Sequence, residues 1–254
     1  MNVLAYGKVN LALAVVGRRS DGYHEIDSIV QTIDLADRIA IEWVSSGISV
    51  ENDLGPFSGA DLAERAARGI LEEKGIDAGV SIRINKGIPI GAGLGGGSSD
   101  AAAVLAALDR MTPPMAMPER IRDLAVQIGS DVALFLQGGR LRIRGRGEAI
   151  VRLGTALPAS YVLLLPPISC ETGAVYRRWD ELNTAGHGLD STDEIGRNDL
   201  TGPTLSLHPA LAVYADGVRS IGADAAGMSG SGSAFYAVFR DHSAGGRAAT
   251  VLER

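Results

Sequence analysis

Cysteine and lysine are scarce in this chain of 254 residues, which has one cysteine, Cys170, and three lysines, Lys8, Lys74 and Lys86. A single thiol excludes a disulfide framework and a cysteine-built metal site, and it fits a reducing compartment. No apolar run approaches the ~20 residues that a membrane-spanning helix needs. The first residues carry no basic stretch ahead of an apolar core, so no secretory leader is expected. Basic side chains are the minority, 24 Lys+Arg against 30 Asp+Glu for a net charge of −6, and aromatics make up only 5%. Both facts weigh against a nucleic-acid binder. Apolar residues at 46% and charged residues at 21% exclude a disordered chain. The reading is a soluble cytoplasmic protein, long enough for one large domain or two modest ones.

Glycine is the residue in excess, 33 of 254 or about 13%, against a typical ~7%. It gathers in two short stretches, 87–97 and 222–232, where backbone brought close to a ligand explains it better than scattered turns do. Around these stretches the hydrophobic pattern alternates between strand and helix periods. Strands are expected at Val3–Val16, Glu25–Thr32, Asp37–Val44 (the last two joined by a short turn) and Gly79–Asn85. Helices are expected at Ala60–Lys74, at Ser98–Arg110 behind the first glycine stretch, and from Pro118 to Gly129. Arg140–Arg146 reads as a strand whose alternating arginines share one solvated face. The pattern restarts near Ala156 with strand Tyr161–Leu165, helix Thr172–Leu182, a polar stretch Asn183–Arg197, helix Pro209–Ile221 and strand Ala234–Arg240. This organisation is a two-part α/β or α+β protein, divided into residues 1–155 and 156–254.

The first glycine stretch reads Pro89-Ile90-Gly91-Ala92-Gly93-Leu94-Gly95-Gly96-Gly97-Ser98-Ser99 and opens an alanine-rich helix. Backbone N–H groups in such a loop, with a helix N-terminus behind them, form an anion site. Ser98 and Ser99 can cap the helix or offer hydroxyls to phosphate or a metal ion. The string satisfies the letters of a dinucleotide fingerprint, but Pro89 breaks the preceding strand and no acidic residue ends a second strand ~20 residues on. A Walker A loop needs a lysine where Gly97 stands. The pattern Pro-x-Gly-x-Gly-Leu-Gly-x-x-Ser-Ser of the GHMP kinases matches position by position.

Other segments extend that match: Gly7-Lys8-Val9-Asn10, Asp21-Gly22-Tyr23-His24, Gly129-Ser130-Asp131-Val132, Asn198-Asp199-Leu200 and Met228-Ser229-Gly230-Ser231-Gly232-Ser233. In this order, from Lys8 to Phe239, the chain resembles the 4-diphosphocytidyl-2-C-methyl-D-erythritol kinase family of the non-mevalonate isoprenoid pathway. The Asp-Gly-Tyr-His segment points to this family within the superfamily. The resemblance implies a two-domain α+β fold: an N-terminal ATP-binding domain like ribosomal protein S5, a C-terminal ferredoxin-like substrate domain, and a cleft between. It implies transfer of the ATP γ-phosphoryl group to the 2-hydroxyl of the methylerythritol moiety. It places the catalytic lysine at Lys8, the base at Asp131 and the ATP loop at Pro89 to Ser99. Tyr23 and Tyr176 would stack on cytosine, His24 would read its edge, Asn10 would bind diphosphate or polyol, and Thr172 would lie with Tyr176 in the substrate segment.

The chemistry agrees with those roles. Phosphoryl transfer asks the protein to position groups and neutralise charge. An aspartate beside the acceptor hydroxyl can take its proton, and a lysine can stabilise charge there. The bland alternatives are an aspartate that caps the next helix and a strand lysine that snorkels to water. Mg²⁺ is expected with ATP, held by phosphates, water and a hydroxyl such as Ser99, because no dedicated acidic pair stands out. The expected partner is thus a small molecule, with neither nucleic acid nor membrane. Departures from the family pattern are Asp61 for asparagine, Ala133 for proline, Tyr6 before Gly7, and only 15 residues after Phe239, fewer than expected for a closing helix and strand. A different small-molecule kinase of the superfamily and a nucleotide-binding regulator remain the rival readings.

Overall fold

The computed structural model describes residues 1–55, 62–113, 119–154, 158–182 and 186–252. Ala60, Asp61, Pro118, Ala156 and Asn183, each named above, lie outside them. Two long strands open the chain, β1 (Asn2–Arg18) and β2 (His24–Val44), and they pair with each other. β2 runs through the turn expected near residue 34. Asp37, where the second of the two expected strands begins, accepts from the N–H groups of Gly87 and Ile88 at 2.7 and 2.8 Å, which fastens β2 just past that expected turn.

The chain divides into two compact units, one of Met1–Gly7, Ile33–Pro89 and Gly95–Gly138, the other of Lys8–Thr32, Ile90–Leu94 and Gly139–Arg254. In the first unit, β4 (Gly79–Asn85) pairs antiparallel with β2 from Arg38↔Asn85 to Val44↔Gly79, and β3 (Ile48–Asn52) lies parallel to β4. Val80, Ile82 and Ile84 of β4 are buried while Arg83 and Asn85 face solvent, the period-two pattern of a half-covered strand. Its helices are α1 (Leu62–Lys74), α2 (Gly96–Met111), α3 (Glu119–Ile128) and α4 (Val132–Gln137). Ala63, Ala66 and Ala67 of α1 and Ala101, Ala102 and Ala107 of α2 are buried, and such small faces let the two helices pack closely. Lys74 ties their far ends, its ammonium donating to Asp109 Oδ1 at 2.6 Å and Thr112 Oγ1 at 2.7 Å.

In the second unit, β5 (Arg140–Gly145) pairs with β2 and forms a hairpin with β6 (Ala149–Arg152). The arginine face is solvated only in part: Arg144 of β5 and Arg146 beyond it are exposed as expected, whereas Arg140 and Arg142 are covered. Arg142 grips the carboxylate of Asp27 with two bonds of 2.8 and 2.6 Å and donates to Leu189 O, and Arg140 donates to Thr192 O. Alternation put them on one face, and the polar stretch before residue 199 covers its Arg140 and Arg142 end. This stretch also lies along β1: Leu13 N donates to Arg197 O, Asp199 N to Leu13 O, and Gly196 N to Leu11 O.

A separate antiparallel sheet has the order β7 (Ser160–Leu164), β9 (Phe235–Phe239), β8 (Ala225–Met228). Around it lie α5 (Thr172–Leu182), α6 (Thr201–Leu207), a 3₁₀ turn Pro209–Leu211 that leads into α7 (Ala212–Ser220), and α8 (His242–Leu252). Val175, Trp179, Leu200, Leu211, Val218 and Phe235 form one core with Leu13 and Val15. The short C-terminus forms α8, whose Ala248 packs with Val162, Ala237 and Phe239; its Gly245 comes so near β7 that a Cβ would sit 2.9 Å from Ser160 Cβ.

Candidate active site

Lys8 is 4% exposed on a strand of apolar neighbours. Its ammonium donates to Asn10 Oδ1 and, at 2.9 Å, to the carbonyl of Gly93. It does not snorkel to water. Asn10 is locked in turn, since its amide donates to Ser28 Oγ at 2.9 Å and its backbone N–H to Ser229 Oγ at 3.1 Å. Ser229 Oγ donates to Gly93 O at 2.9 Å. One carbonyl in the first glycine stretch therefore receives both the catalytic-lysine candidate and a serine of the second stretch.

The two stretches touch through their glycines. Gly93 has φ +76°, and a Cβ there would lie 2.2 Å from Ser229 O and 3.0 Å from Gly232 O. Ala234 N donates to Ala92 O at 3.0 Å. Asn198, from the Asn-Asp-Leu segment, donates to Met228 O and Gly230 O at 2.8 Å each. Thr172 Oγ1 lies 3.0 Å from Ser231 Oγ. Part of the glycine excess thus serves loop-on-loop packing.

Of the remaining loop residues, Pro89 and Gly95–Ser99 belong to the first unit and Ile90–Leu94 to the second. Gly91 and Gly95 also have positive φ, +69° and +74°, a conformation that costs glycine nothing. Helix α2 begins at Gly96, two residues before the sequence pattern suggested, with Gly95 at its N-cap and no side-chain cap. The capping expected of Ser98 and Ser99 is not made. Ser99 Oγ donates instead to Tyr6 O at 2.7 Å. The first N–H groups of α2 are left without a side-chain acceptor, which is the arrangement that receives an anion. Gly97 has neither positive φ nor a neighbour nearer than Leu62 Cδ1 at 3.9 Å from a built Cβ, so packing does not explain its missing side chain.

Below this helix start the first unit buries a charged cluster that sequence reasoning missed. Lys86 Nζ donates to Asp37 Oδ2 at 2.5 Å and Asp100 Oδ2 at 2.7 Å, with side-chain exposures of 4%, 0% and 5%. Asp100 Oδ1 finds no partner. Burial pushes the Asp100 carboxyl up to about 7 against the pull of the Lys86 ammonium. The cluster joins the residues just before the loop to the first turns of α2. The scarcity of lysine was a signal for it, because a chain that prefers arginine keeps all three of its lysine side chains buried.

Asp131 stands at the N-cap of α4 with φ −90° and ψ −8°, yet its side chain makes no capping bond. The bland reading of this aspartate therefore fails. Among the described residues no group of three His, Cys, Asp or Glu could hold a metal ion. Ser99, having donated its proton, keeps its oxygen lone pairs for a cation.

The nucleobase candidates fall into two groups within the second unit. Tyr23 is 57% exposed, and the guanidinium of Arg146 covers one of its faces at 4.2 Å from the ring centre. His24 is held by α5. Tyr176 stacks on it with ring centres 4.7 Å apart and planes at 27°, Trp179 meets it edge-on at 5.8 Å, and Asp180 Oδ1 lies 2.7 Å from Nε2. Arg146 and Asp180 were not foreseen, although the spacing of Asp180 four residues after Tyr176 is the helical signal that could have found it.

Models of two families match the chain: the GHMP kinases N terminal domain over residues 61–139 and the GHMP kinases C terminal domain over residues 173–254. The 4-diphosphocytidyl-2-C-methyl-D-erythritol kinase of Desulfitobacterium hafniense (strain Y51) is 38% identical over 253 residues, covering 94% of this chain and 87% of the relative. That of Bacillus subtilis (strain 168) is 37% identical, covering 91% and 86%. A crystal structure of 4-(cytidine 5'-diphospho)-2C-methyl-D-erythritol kinase superposes with a TM-score of 0.85 at 39% identity, covering 100% of this chain and 95% of the other. Homoserine kinase from Cytophaga hutchinsonii shares the fold, with a TM-score of 0.72 at 16% identity over 98% and 90% of the two chains. Likeness at this identity and coverage leaves one assignment: the chain is a two-domain α+β GHMP kinase and belongs to the 4-diphosphocytidyl-2-C-methyl-D-erythritol kinase family.

Proposed function

We propose that this protein transfers the γ-phosphoryl group of ATP to the 2-hydroxyl of 4-diphosphocytidyl-2-C-methyl-D-erythritol, releasing ADP. The observation that carries the reading is the full-length likeness to a structure of that kinase. The uncapped start of α2 and the open position at Gly97 support an anion site there. In this reading residues 1–155 carry the ATP loop, and residues 156–254 bind the substrate together with Tyr23 and His24. The loop from Pro89 to Ser99, including Ile90, Ala92, Leu94, Gly95, Gly96 and Ser98, receives the ATP phosphates on its N–H groups. Asp131 takes the proton of the 2-hydroxyl as the new O–P bond forms and the bond from the γ-phosphorus to the bridging oxygen of ADP breaks. Lys8, kept in place by Asn10 and Gly93 O, neutralises charge that develops as the phosphoryl group moves. Asn10 is so fully engaged by Lys8, Ser28 and Ser229 that its main service is to hold Lys8.

Mg²⁺ bound with ATP would neutralise charge on the phosphates, and Ser99 Oγ is the protein group that would hold it. Tyr23 offers its face opposite Arg146 to the cytosine, with Tyr176, Thr172 and His24 on the α5 side. No helix among the described residues is long and apolar enough to cross a membrane, and the lone, buried Cys170 suits a cytoplasmic enzyme. Coupled ADP release with Mg²⁺-ATP tests the reading. Turnover of 4-diphosphocytidyl-2-C-methyl-D-erythritol with none of mevalonate or homoserine is the expected result. Turnover of either alcohol in its place would refute the substrate assignment and leave the kinase.

A further inference from the structure

We propose that Asp180 is a specificity-determining residue: by holding the Nε2–H of His24, it leaves Nδ1 as a hydrogen-bond acceptor and so selects cytosine over uracil. This rests on the reading above that His24 faces the base. The residues on α5 that make the arrangement are spaced for it, because Tyr176, Trp179 and Asp180 stand at i, i+3 and i+4 and share one side of the helix. Tyr176 lies against the face of the imidazole and Trp179 against it edge-on, which fixes the plane of the ring. Asp180 Oδ1, 2.7 Å from Nε2, fixes what is left, namely which nitrogen carries the hydrogen.

A carboxylate only accepts, so the hydrogen between the two groups sits on Nε2. A neutral imidazole with hydrogen on Nε2 has a lone pair on Nδ1. No described residue occupies that nitrogen, while Arg18 Nη1 faces the other oxygen of Asp180 at 3.6 Å. The His24 side chain is 10% exposed and that of Asp180 24%, so the pair is shielded but reachable. Cytosine and uracil differ at C4, where the first carries an amino group that donates and the second a carbonyl that accepts. A lone pair on Nδ1 bonds the amino group and repels the carbonyl. Tyr176 and Tyr23 cannot make this distinction, since every base offers them a flat face. Asp180 touches no substrate in this account; it acts through His24.

The test compares wild type with Asp180→Asn, using the full chain, saturating Mg²⁺-ATP, and both 4-diphosphocytidyl-2-C-methyl-D-erythritol and its uridine counterpart. An asparagine amide can donate to Nε2, which moves the histidine hydrogen to Nδ1 and reverses its preference. The ratio of kcat/KM for cytidine over uridine substrate is expected to fall roughly ten- to hundredfold, the effect of one buried group mispaired. A loss shared equally by both substrates, with the ratio unchanged, would mean that Asp180 only supports the fold and would overturn the proposal. A wild type that turns over neither compound would overturn the reading of function and this proposal with it. ¹⁵N NMR of histidine-labelled protein, with His24→Gln assigning the signal, decides the tautomer without substrate. Nδ1 of His24 should be pyridine-like in wild type and pyrrole-like in Asp180→Asn, and a pyridine-like Nε2 in wild type refutes the proposal whatever the kinetics.

Discussion

Gly93→Ala places a single methyl group where the two glycine stretches meet. The backbone there has φ +76°, and the new carbon would lie 2.2 Å from Ser229 O and 3.0 Å from Gly232 O. Holding alanine at a left-handed φ costs about 1–2 kcal/mol. The clash is with backbone, so the second stretch must move, and overpacking of this kind costs about 1–3 kcal/mol. The sum, about 2–5 kcal/mol, lowers the Tm of a chain this long by about 5–20 °C. Activity falls as well, because the carbonyl that shifts accepts from both Lys8 Nζ and Ser229 Oγ at 2.9 Å. Gly97→Ala in the same loop is the control, with no positive φ and nothing nearer than 3.9 Å. Alanine is the better helix former by about 1 kcal/mol, so Gly97→Ala should keep or raise Tm while KM for ATP increases. Scanning calorimetry and coupled ADP release read both variants. A Gly93→Ala protein that melts with the wild type and turns over normally would show that the two stretches do not need this contact.

Asp131→Asn should abolish turnover while isothermal titration still detects ATP, and an unchanged kcat would remove Asp131 from the role of base. Lys86→Met strands two buried carboxylates, a change that costs about 3–5 kcal/mol; a denaturation midpoint equal to wild type would mean that the cluster is not an ion pair of consequence. Burial works against the charge on Asp27, but Arg142, the N–H of Leu189 and Arg144 overcome it and hold the carboxyl below its ordinary range. A lowered folded-state value stabilises the protein above the unfolded value, ~3.9 for aspartate, and that stabilisation is lost as pH falls through the lower folded value. The Tm gap between wild type and Asp27→Asn should thus be widest near pH 7 and close as pH falls below about 4. A gap that stays constant over that interval would assign the effect to lost packing alone.

Elements with a clear period were legible before any coordinates. β4 and α5 have the expected bounds, Gly79–Asn85 and Thr172–Leu182, because each shows one strong period with a stop signal. Two strands, Glu25–Thr32 and Asp37–Val44, are expected where β2 runs unbroken through residues 33–36. The bonds that fasten Asp37 come from residues 87 and 88, and no local window contains them. The arginine face of β5 was legible only in part, since Arg144 is exposed but Arg140 and Arg142 are not. Alternation correctly gave them one face, but whether water or the 186–199 stretch covers that face depends on Asp27 and Leu189. Polar pairs that join distant segments are where periodicity stops being informative.

The candidate site divides along the same line. Positions whose residue type the proposed chemistry would demand, such as the glycine loop, Lys8 and Asp131, are named from motif and spacing. Those that act on a neighbour cannot: the fold alone brings Asp180 to 2.7 Å from His24 across 156 positions of sequence. Composition offered one bridge between the two kinds. An exposed lysine and an exposed arginine are nearly equivalent, so a chain that uses arginine almost throughout keeps lysine only where a compact ammonium is required. All three lysines are buried here, each donating to two or more oxygens: Lys8 to Asn10 and Gly93, Lys74 to Asp109 and Thr112, Lys86 to Asp37 and Asp100. At 4% exposure Lys86 leaves no free space around it, so the larger guanidinium must displace a neighbour, and overpacking of this kind is destabilising. On that ground Lys86→Arg should destabilise nearly as much as Lys86→Met, and an arginine that restores wild-type stability would show the scarcity of lysine to be mere codon or compositional bias.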